Sequence, residues 1–277
     1  GKAIFRGASA QGGTIAMMDL HTHTVASDGE ATLEEAVSLA AAAGMSAIAI
    51  TDHMDPHQAT YTESSGHMMQ EDDLERAIGA RNAREWPIQV FIGLERGPLP
   101  AGLKRARPDL VIASVHYITR RVKTQIGQVF HEPYWLAYMD EVLHTVSGPQ
   151  VSILGHMAGY LPMRHMLTPG STFEERREIE RRIAQRFFTR EWYEKVFRSA
   201  RDRGVAVEIH CPSRSPSPDM VRMGLAMGVR FSVGSDGHAK SWIGNVSWGY
   251  DLLNSLGAGP DSVWSPGLHG QARWRGL

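Results

Sequence analysis

Seven short stretches of the chain end in side chains that can ligate a metal or move a proton. They are Asp19-Leu20-His21-Thr22-His23, Thr51-Asp52-His53, Gly93-Leu94-Glu95, Ser114-Val115-His116, Gly155-His156, Glu208-Ile209-His210 and Ser235-Asp236-Gly237-His238. Imidazole with carboxylate suits Zn²⁺, Mn²⁺ or Fe²⁺. The one cysteine, Cys211, excludes a multi-cysteine zinc site, so a metal here must use His and carboxylates. His21 and His23 lie two residues apart and share one face of an extended strand. A lone histidine at a strand end is ordinarily a polar cap. A crowd of them is costly unless a metal or a proton network satisfies it. Asp28, in Ala26-Ser27-Asp28-Gly29, reads either as an Asp-Gly turn or as a further ligand leaving the first strand end.

Other chemistries fit less well. Ser114 or Ser235 could be drawn into a Ser-His-Asp triad, but there is no GxSxG elbow. Cys211, in His210-Cys211-Pro212, reads as a small buried thiol rather than a nucleophile. Paired carboxylates for glycoside hydrolysis would leave the histidines unexplained. No GxGxxG or GxxxxGK[ST] phosphate loop is present.

The elements that must position these groups are short apolar runs: Thr14–Leu20, Ser46–Ile50, Ile88–Leu94, Leu110–Val115, Val151–Leu154, Val205–Ile209 and Arg230–Gly234. Most are continuously apolar, as expected of strands covered on both faces of a parallel sheet. Helical stretches fill most gaps. One opens at Thr32 with a capping box to Glu35 and closes at Gly44. Others are Glu71–Trp86, Glu132–Val146, Phe173–Arg203, Pro218–Met227 and Trp242–Leu256. Phe173–Arg203 carries a stripe of Ile179, Ile183, Phe187 and Val196, and reads as one solvated amphipathic helix. Seven strands with intervening helices argue for a barrel or an open doubly wound sheet. In a parallel barrel the C-terminal strand ends meet on one face, so groups scattered through the chain would converge there.

The 277 residues carry 29 Lys+Arg against 30 Asp+Glu, which gives no bulk support for nucleic-acid or membrane binding. The longest uncharged run, Ala36–Thr51, is too short for a bilayer span, and residues 1–13 do not form a secretory signal. We expect residues 1–13 to be a flexible arm and 14–256 a single barrel domain. The tail 257–277 should wrap its surface, anchored by Trp264 and Trp274. A single cysteine fits a reducing, cytoplasmic setting. Oligomeric state is not legible. The long loops 54–70, with Tyr61, Ser64, Ser65 and His67, and 157–172 are placed to shape a site. His57, His67, His131, His144, His165 and His269 lie off the strand-end pattern and read as structural or loop polar residues.

The stretches DLHTHTVASDG at 19–29, ITDH at 50–53, GLE at 93–95, SVH at 114–116, GH at 155–156, EIH at 208–210 and SDGH at 235–238 resemble the PHP (polymerase and histidinol phosphatase) family of metal-dependent phosphoesterases. They stand in the family's order over about 220 residues. The chain most resembles stand-alone, histidinol-phosphatase-like members. The resemblance implies a distorted (β/α)₇ TIM-like barrel with the metal site at the C-terminal strand ends. It also implies three divalent ions (Zn, Mn or Fe). His21, His23, Glu95 and Asp236 would hold the first. Glu95 would bridge to the second, with His116 and His156. Asp28, His53 and His238 would hold the third. Glu208-Ile209-His210 departs from the family's commoner Glu-hydrophobic-Asn, which leaves His210 as a ligand, a proton donor, a substrate contact or a polar cap. Glu208 is expected to support the ligands.

The implied reaction is hydrolysis of a small-molecule phosphate ester by a metal-bridged hydroxide, with a phosphomonoesterase or a phosphodiesterase as the expected activity. Glu95, Asp236 and His238 are the expected catalytic groups, the last two for proton transfer. Arg214 resembles an arginine that some family phosphatases use on phosphate. Arg164 and Arg96 are further candidates, since Arg suits bidentate phosphate contact. Alternatives are an organophosphorus triester hydrolase, an amidohydrolase-type amide or lactone hydrolase, and a non-catalytic metal-binding module. No lysine ends a strand to serve as the carboxylated bridge common in amidohydrolase barrels.

Overall fold

The computed structural model describes residues 15–62 and 66–270. The expected arm 1–13 and the residues Ser64, Ser65 and Trp274 lie outside them. The elements run β1 (Met18–Thr22), α1 (Leu33–Ala42), β2 (Ala47–Ile50), α2 (Gln58–Tyr61), α3 (Glu71–Asn82), β3 (Gln89–Ile92), β4 (Leu94–Arg96) and β5 (Val111–Ala113). They continue α4 (Glu132–Ser147), β6 (Ile153–Leu154), α5 (Phe173–Phe187), α6 (Arg190–Arg203), β7 (Ala206–His210), α7 (Pro218–Ala226), β8 (Phe231–Gly234) and α8 (Ser247–Ser255).

All strand pairs are parallel. They form one sheet in the order β1-β2-β3 and another in the order β4-β5-β6-β7-β8. Two seams join the sheets into a barrel. At one, β3 and β4 are a single run kinked at Gly93, and His53 pairs with Glu95 across it. At the other, Thr22 pairs with Gly237, and His23 N–H donates to the Gly237 carbonyl at 3.1 Å. The seven apolar runs are thus the seven staves, the third of them bent. A Cβ on Gly93 would lie 2.7 Å from the Leu110 carbonyl oxygen, so the bend needs glycine.

The barrel interior is a small apolar layer of Leu20, Ala47, Ala49, Phe91, Leu110, Ile112, Ile153, Ala206 and Trp264. The alternate strand residues, such as Ile48, Ile50, Val111, Val207 and Val233, pack outward against the helices. In β1 the pairing register slips between Asp19 and Thr22. That bulge turns the neighbours Leu20 and His21 both inward, one into the apolar layer and the other into the polar mouth above it.

Two expectations change. The stretch 173–203 is two helices, because Thr189 accepts the Trp192 N–H at 3.2 Å as a new N-cap and Phe188 turns into the core between Tyr138 and Trp192. The last helix begins at Ser247, with 240–244 in turns. Trp264, expected as an anchor of the tail, is buried. Its backbone N–H donates to the Phe231 carbonyl at the start of β8, and its ring joins the apolar layer inside the barrel.

Candidate metal centre

The strand ends do converge. Glu95, fully buried on β4, stands at the middle. Its Oε1 lies 3.1 Å from His156 Nε2 and 3.2 Å from His116 Nε2 and accepts the Ser114 hydroxyl at 2.5 Å. Its Oε2 lies 3.1 Å from His53 Nδ1, 3.2 Å from His21 Nε2 and 3.5 Å from His23 Nε2. Asp236 Oδ1 faces the same two rings, 3.2 Å from His23 Nε2 and 3.5 Å from His21 Nε2. Asp28 Oδ1 lies 3.3 Å from His238 Nε2, 3.7 Å from His53 Nε2 and 4.0 Å from His23 Nδ1. His116 Nε2 and His156 Nε2 are 3.3 Å apart. All nine residues expected as ligands therefore share one cluster at the barrel mouth.

Three groups in it could each hold an ion: His21–His23–Glu95–Asp236, His23–Asp28–His53–His238 and His53–Glu95–His116. Four donors arranged tetrahedrally about a divalent ion at about 2.1 Å stand about 3.4 Å apart, which is the spacing seen here. The buried polar atoms His21 Nε2, His23 Nδ1 and Nε2, Glu95 Oε2 and Asp236 Oδ1 have no hydrogen-bond partner among the described residues. Such atoms are rare in folded proteins, and their concentration at one point fits a cation. The donor set, all imidazole and carboxylate, fits a borderline divalent metal.

The ring orientations agree. His21 Nδ1–H donates to Glu208 Oε1 at 2.7 Å, which leaves the Nε2 lone pair for the cluster. His238 Nδ1–H donates to the Asp236 carbonyl at 3.0 Å, so its Nε2 is the nitrogen turned to Asp28. Glu208 Oε2 also accepts the His156 N–H at 2.7 Å. Asp52, one of the metal-capable groups in the sequence, is occupied otherwise. It accepts from Thr24 N–H, Thr24 Oγ1 and Ser27 Oγ, each at 2.7 Å, and so braces the turn that carries Asp28. Asp19 likewise accepts from Ser235 and Gly244.

Burial opposes charge on every one of these groups. Glu95 is nonetheless held well below the carboxylate range, because His21, His116 and His53 outweigh that burial. Asp236 is held low by His21, His210 and His23 against the same penalty. Asp28 comes down to about 2, since His238, His53 and His23 override its partial burial. Burial, and then the charge of His23, push His53 down to about 3, so its ring is neutral with a lone pair to offer.

Two substrate candidates are corrected. Arg96 is buried, and its guanidinium donates to the carbonyls of Gly97, Pro98 and Pro149 at 2.9–3.0 Å, so it is not free for a phosphate. His210 is also fully buried and has both ring nitrogens engaged, with Ser213 and with Asp236. Arg164, opening a 3₁₀ turn after β6, and Arg214, at positive φ in the loop after β7, are exposed. Of the remaining histidines, His57, His144 and His269 bond to backbone groups.

Sequence reading missed Tyr160. It lies in the loop after β6, at φ +57°, with its ring 5.9 Å from His156 and 5.8 Å from His210 and the Arg176 guanidinium 4.2 Å over its face. Burial raises its phenol, and the charges of Asp236 and Asp28 act the same way against Arg176. No local pattern marks it. Its positive φ is the structural signal.

The PHP domain pattern matches residues 19–210. No curated protein matches the sequence. Among solved structures, histidinol phosphate phosphatase HisK from Lactococcus lactis, complexed with zinc, L-histidinol and phosphate, superposes with a TM-score of 0.64 at 21% identity, over 88% of this chain and 95% of that one. The putative histidinol phosphatase HisK from Listeria monocytogenes gives 0.56 at 17% identity, over 82% and 97%. At these identities the likeness is one of fold. The matched stretch runs from β1 through β7 and takes in most of the cluster, and on that match the chain belongs to the PHP domain family of metal-dependent phosphoesterases.

Proposed function

We propose that this chain hydrolyses a small-molecule phosphomonoester at a centre of three divalent ions. The observation that carries the reading is the split of Glu95: one carboxylate oxygen faces His116 and His156, the other faces His21, His23 and His53. A carboxylate shared in this way is suited to bridge two ions. The first site would use His21, His23, Glu95 and Asp236. The second would use Glu95, His116 and His156. The third would use Asp28, His53 and His238. Zinc is the ion we assign, in accord with the zinc held by the Lactococcus protein, whose bound L-histidinol and phosphate also support a phosphomonoester of that size.

Bound divalent ions supply charge neutralisation for a phosphoryl group and ionise water near neutral pH. The chain's own groups do the rest. Asp236 stays a carboxylate, with His210 on Oδ2 and Oδ1 turned to the cluster, and is fit to accept a proton from an attacking water. His238, with its Nδ1–H given to a backbone carbonyl and its Nε2 turned to Asp28, is the proposed third-site ligand and, with Asp236, a proposed carrier of the leaving-group proton. Arg214 and Arg164 are the proposed donors to non-bridging phosphate oxygens. No helix among the described residues is long and apolar enough to cross a membrane. The buried Cys211 accords with the reducing, cytoplasmic setting we assign.

The test is a hydrolysis panel on zinc-loaded protein, comparing phosphomonoesters (histidinol phosphate included), diesters and triesters. We expect zinc-dependent turnover of monoesters, lost by at least about a thousandfold in His23→Ala with the circular dichroism unchanged. Silence toward all three classes with zinc bound overturns the reading, and preference for a di- or triester overturns its monoester part.

A further inference from the structure

We propose that His210 is a positioning residue with two jobs: one ring nitrogen fixes the Asp236 carboxylate, and the other seats the turn that carries Arg214. The inference rests on the phosphoesterase reading for the role of Arg214, and on geometry alone for Asp236.

The partners of His210 decide its tautomer. Ser213 offers its N–H at 3.3 Å and its hydroxyl at 2.6 Å to Nδ1. A backbone N–H can only donate, so Nδ1 is the acceptor and the ring proton sits on Nε2. Nε2–H then donates to Asp236 Oδ2 at 3.1 Å. This leaves Asp236 Oδ1, which has no hydrogen-bond partner among the described residues, aimed at His21 and His23. The carboxylate therefore has one oxygen tied and one oxygen presented. That is the arrangement by which groups behind a ligand orient it.

The same ring supports a turn. His210 N–H donates to the Ser215 carbonyl at 2.9 Å, and Ser215 N–H returns to the His210 carbonyl at 3.3 Å, closing residues 211–214 into a tight loop. Inside it, Ser213 Oγ is 2.8 Å from Ser215 Oγ, continuing the line from Asp236 through His210. The glycine at 159 presses on both serines. A Cβ there would lie 2.3 Å from Ser213 Oγ and 2.5 Å from Ser215 Oγ. Asp236, His210 and Ser213 thus have the connectivity of a nucleophilic triad. Ser213, however, is buried under the loop after β6, so the line serves as a brace. Arg214 leaves this braced turn at φ +52°, exposed beside the mouth. A glutamine at 210 could still donate to Asp236, because its amide nitrogen falls where the ring has Nε2. It has no acceptor at the Nδ1 position to receive Ser213, and so would do the first job and not the second.

The test uses the full chain and two probes: zinc, titrated into metal-stripped protein against a chromophoric chelator, and inorganic phosphate, titrated calorimetrically into zinc-loaded protein. We expect His210→Ala to weaken zinc binding at least tenfold and phosphate binding with it. His210→Gln should restore zinc affinity to within about threefold of wild type while phosphate stays weak. Ser213→Ala should leave zinc unchanged and weaken phosphate severalfold. If His210→Ala does not fold, the other two variants carry the comparison. Zinc affinity in His210→Gln at least tenfold below wild type, or unchanged in His210→Ala, overturns the first job. Phosphate affinity unchanged in both His210→Gln and Ser213→Ala overturns the second. Wild-type protein that takes up zinc but neither binds phosphate nor turns over any ester overturns the phosphoesterase reading instead, and the zinc arm still decides the first job.

Discussion

Glu208 shows how one residue can organise several ligands without touching the reaction. Its two oxygens hold the ring of His21 and the backbone of His156, each at 2.7 Å, so two strand ends are indexed to a third. Burial raises its carboxyl, but His21 and then His210 and His156 outweigh this and keep it low. Glu208→Gln removes the charge and keeps the shape. Zinc affinity should fall by about 10- to 100-fold with the fold retained, as measured by chelator competition. An unchanged affinity would leave Glu208 a packing residue. Protons compete for the same lone pairs. His21 is held well above the imidazole range, because Glu95, Glu208 and Asp236 override its burial, and Glu95 raises His116 in the same way. These rings must shed protons to bind metal. Zinc affinity should therefore rise with pH through and above the ordinary imidazole range, with proton release that calorimetry in buffers of different ionisation enthalpy can count.

At the scale of elements, the kink between β3 and β4 sets where Glu95 stands. Alanine at 93 would bring its Cβ to 2.7 Å from the Leu110 carbonyl oxygen and 2.8 Å from Leu110 Cγ. Either β5 yields or the kink opens, and both displace Glu95 two residues later. We expect Gly93→Ala to lose about 1–3 kcal/mol of stability and to weaken zinc binding. Gly79→Ala on α3 is the control. Nothing lies within 4 Å of its added Cβ, and the helix should gain stability by about 1 kcal/mol. Denaturant unfolding with and without zinc separates the two. Equal behaviour of both variants would show that the bend does not depend on glycine.

For the molecule as a whole, the barrel has a polar end and an apolar end. Nine metal-capable side chains crowd the C-terminal mouth, while Trp264 plugs the other end beneath Leu20, Phe91 and Ile153. Trp264→Ala removes the plug and should cost about 3–5 kcal/mol of stability. Zinc stoichiometry should not change, because the apolar layer separates the plug from the cluster. Thermal unfolding with metal analysis tests this, and a variant that lost its zinc while keeping its melting temperature would contradict it. Chelation should do the reverse, lowering the melting temperature because ions that bind only the folded chain stabilise it.

What the chain determined by itself was local: seven apolar runs, the donor that ends each of them, and the Thr32–Glu35 cap on α1, where Thr32 Oγ1 accepts the Glu35 N–H at 3.2 Å. These are legible because strand burial and helix capping depend on residues a few positions apart. Pairing and packing decided the rest. The bulge that turns both Leu20 and His21 inward exists only in register with β2. The break at Phe188 needs the aromatic pocket of Tyr138 and Trp192. Arg96 follows Glu95 directly, yet its guanidinium is drawn to the Pro149 carbonyl, 53 residues away. Asp19 and Asp236 are both buried aspartates at the β1–β8 seam. One is filled by hydrogen bonds from Ser235 and Gly244, and the other keeps an oxygen bare. Residue type states what a side chain can do, but its partners come from distant parts of the chain, and those partners separate a ligand from a brace.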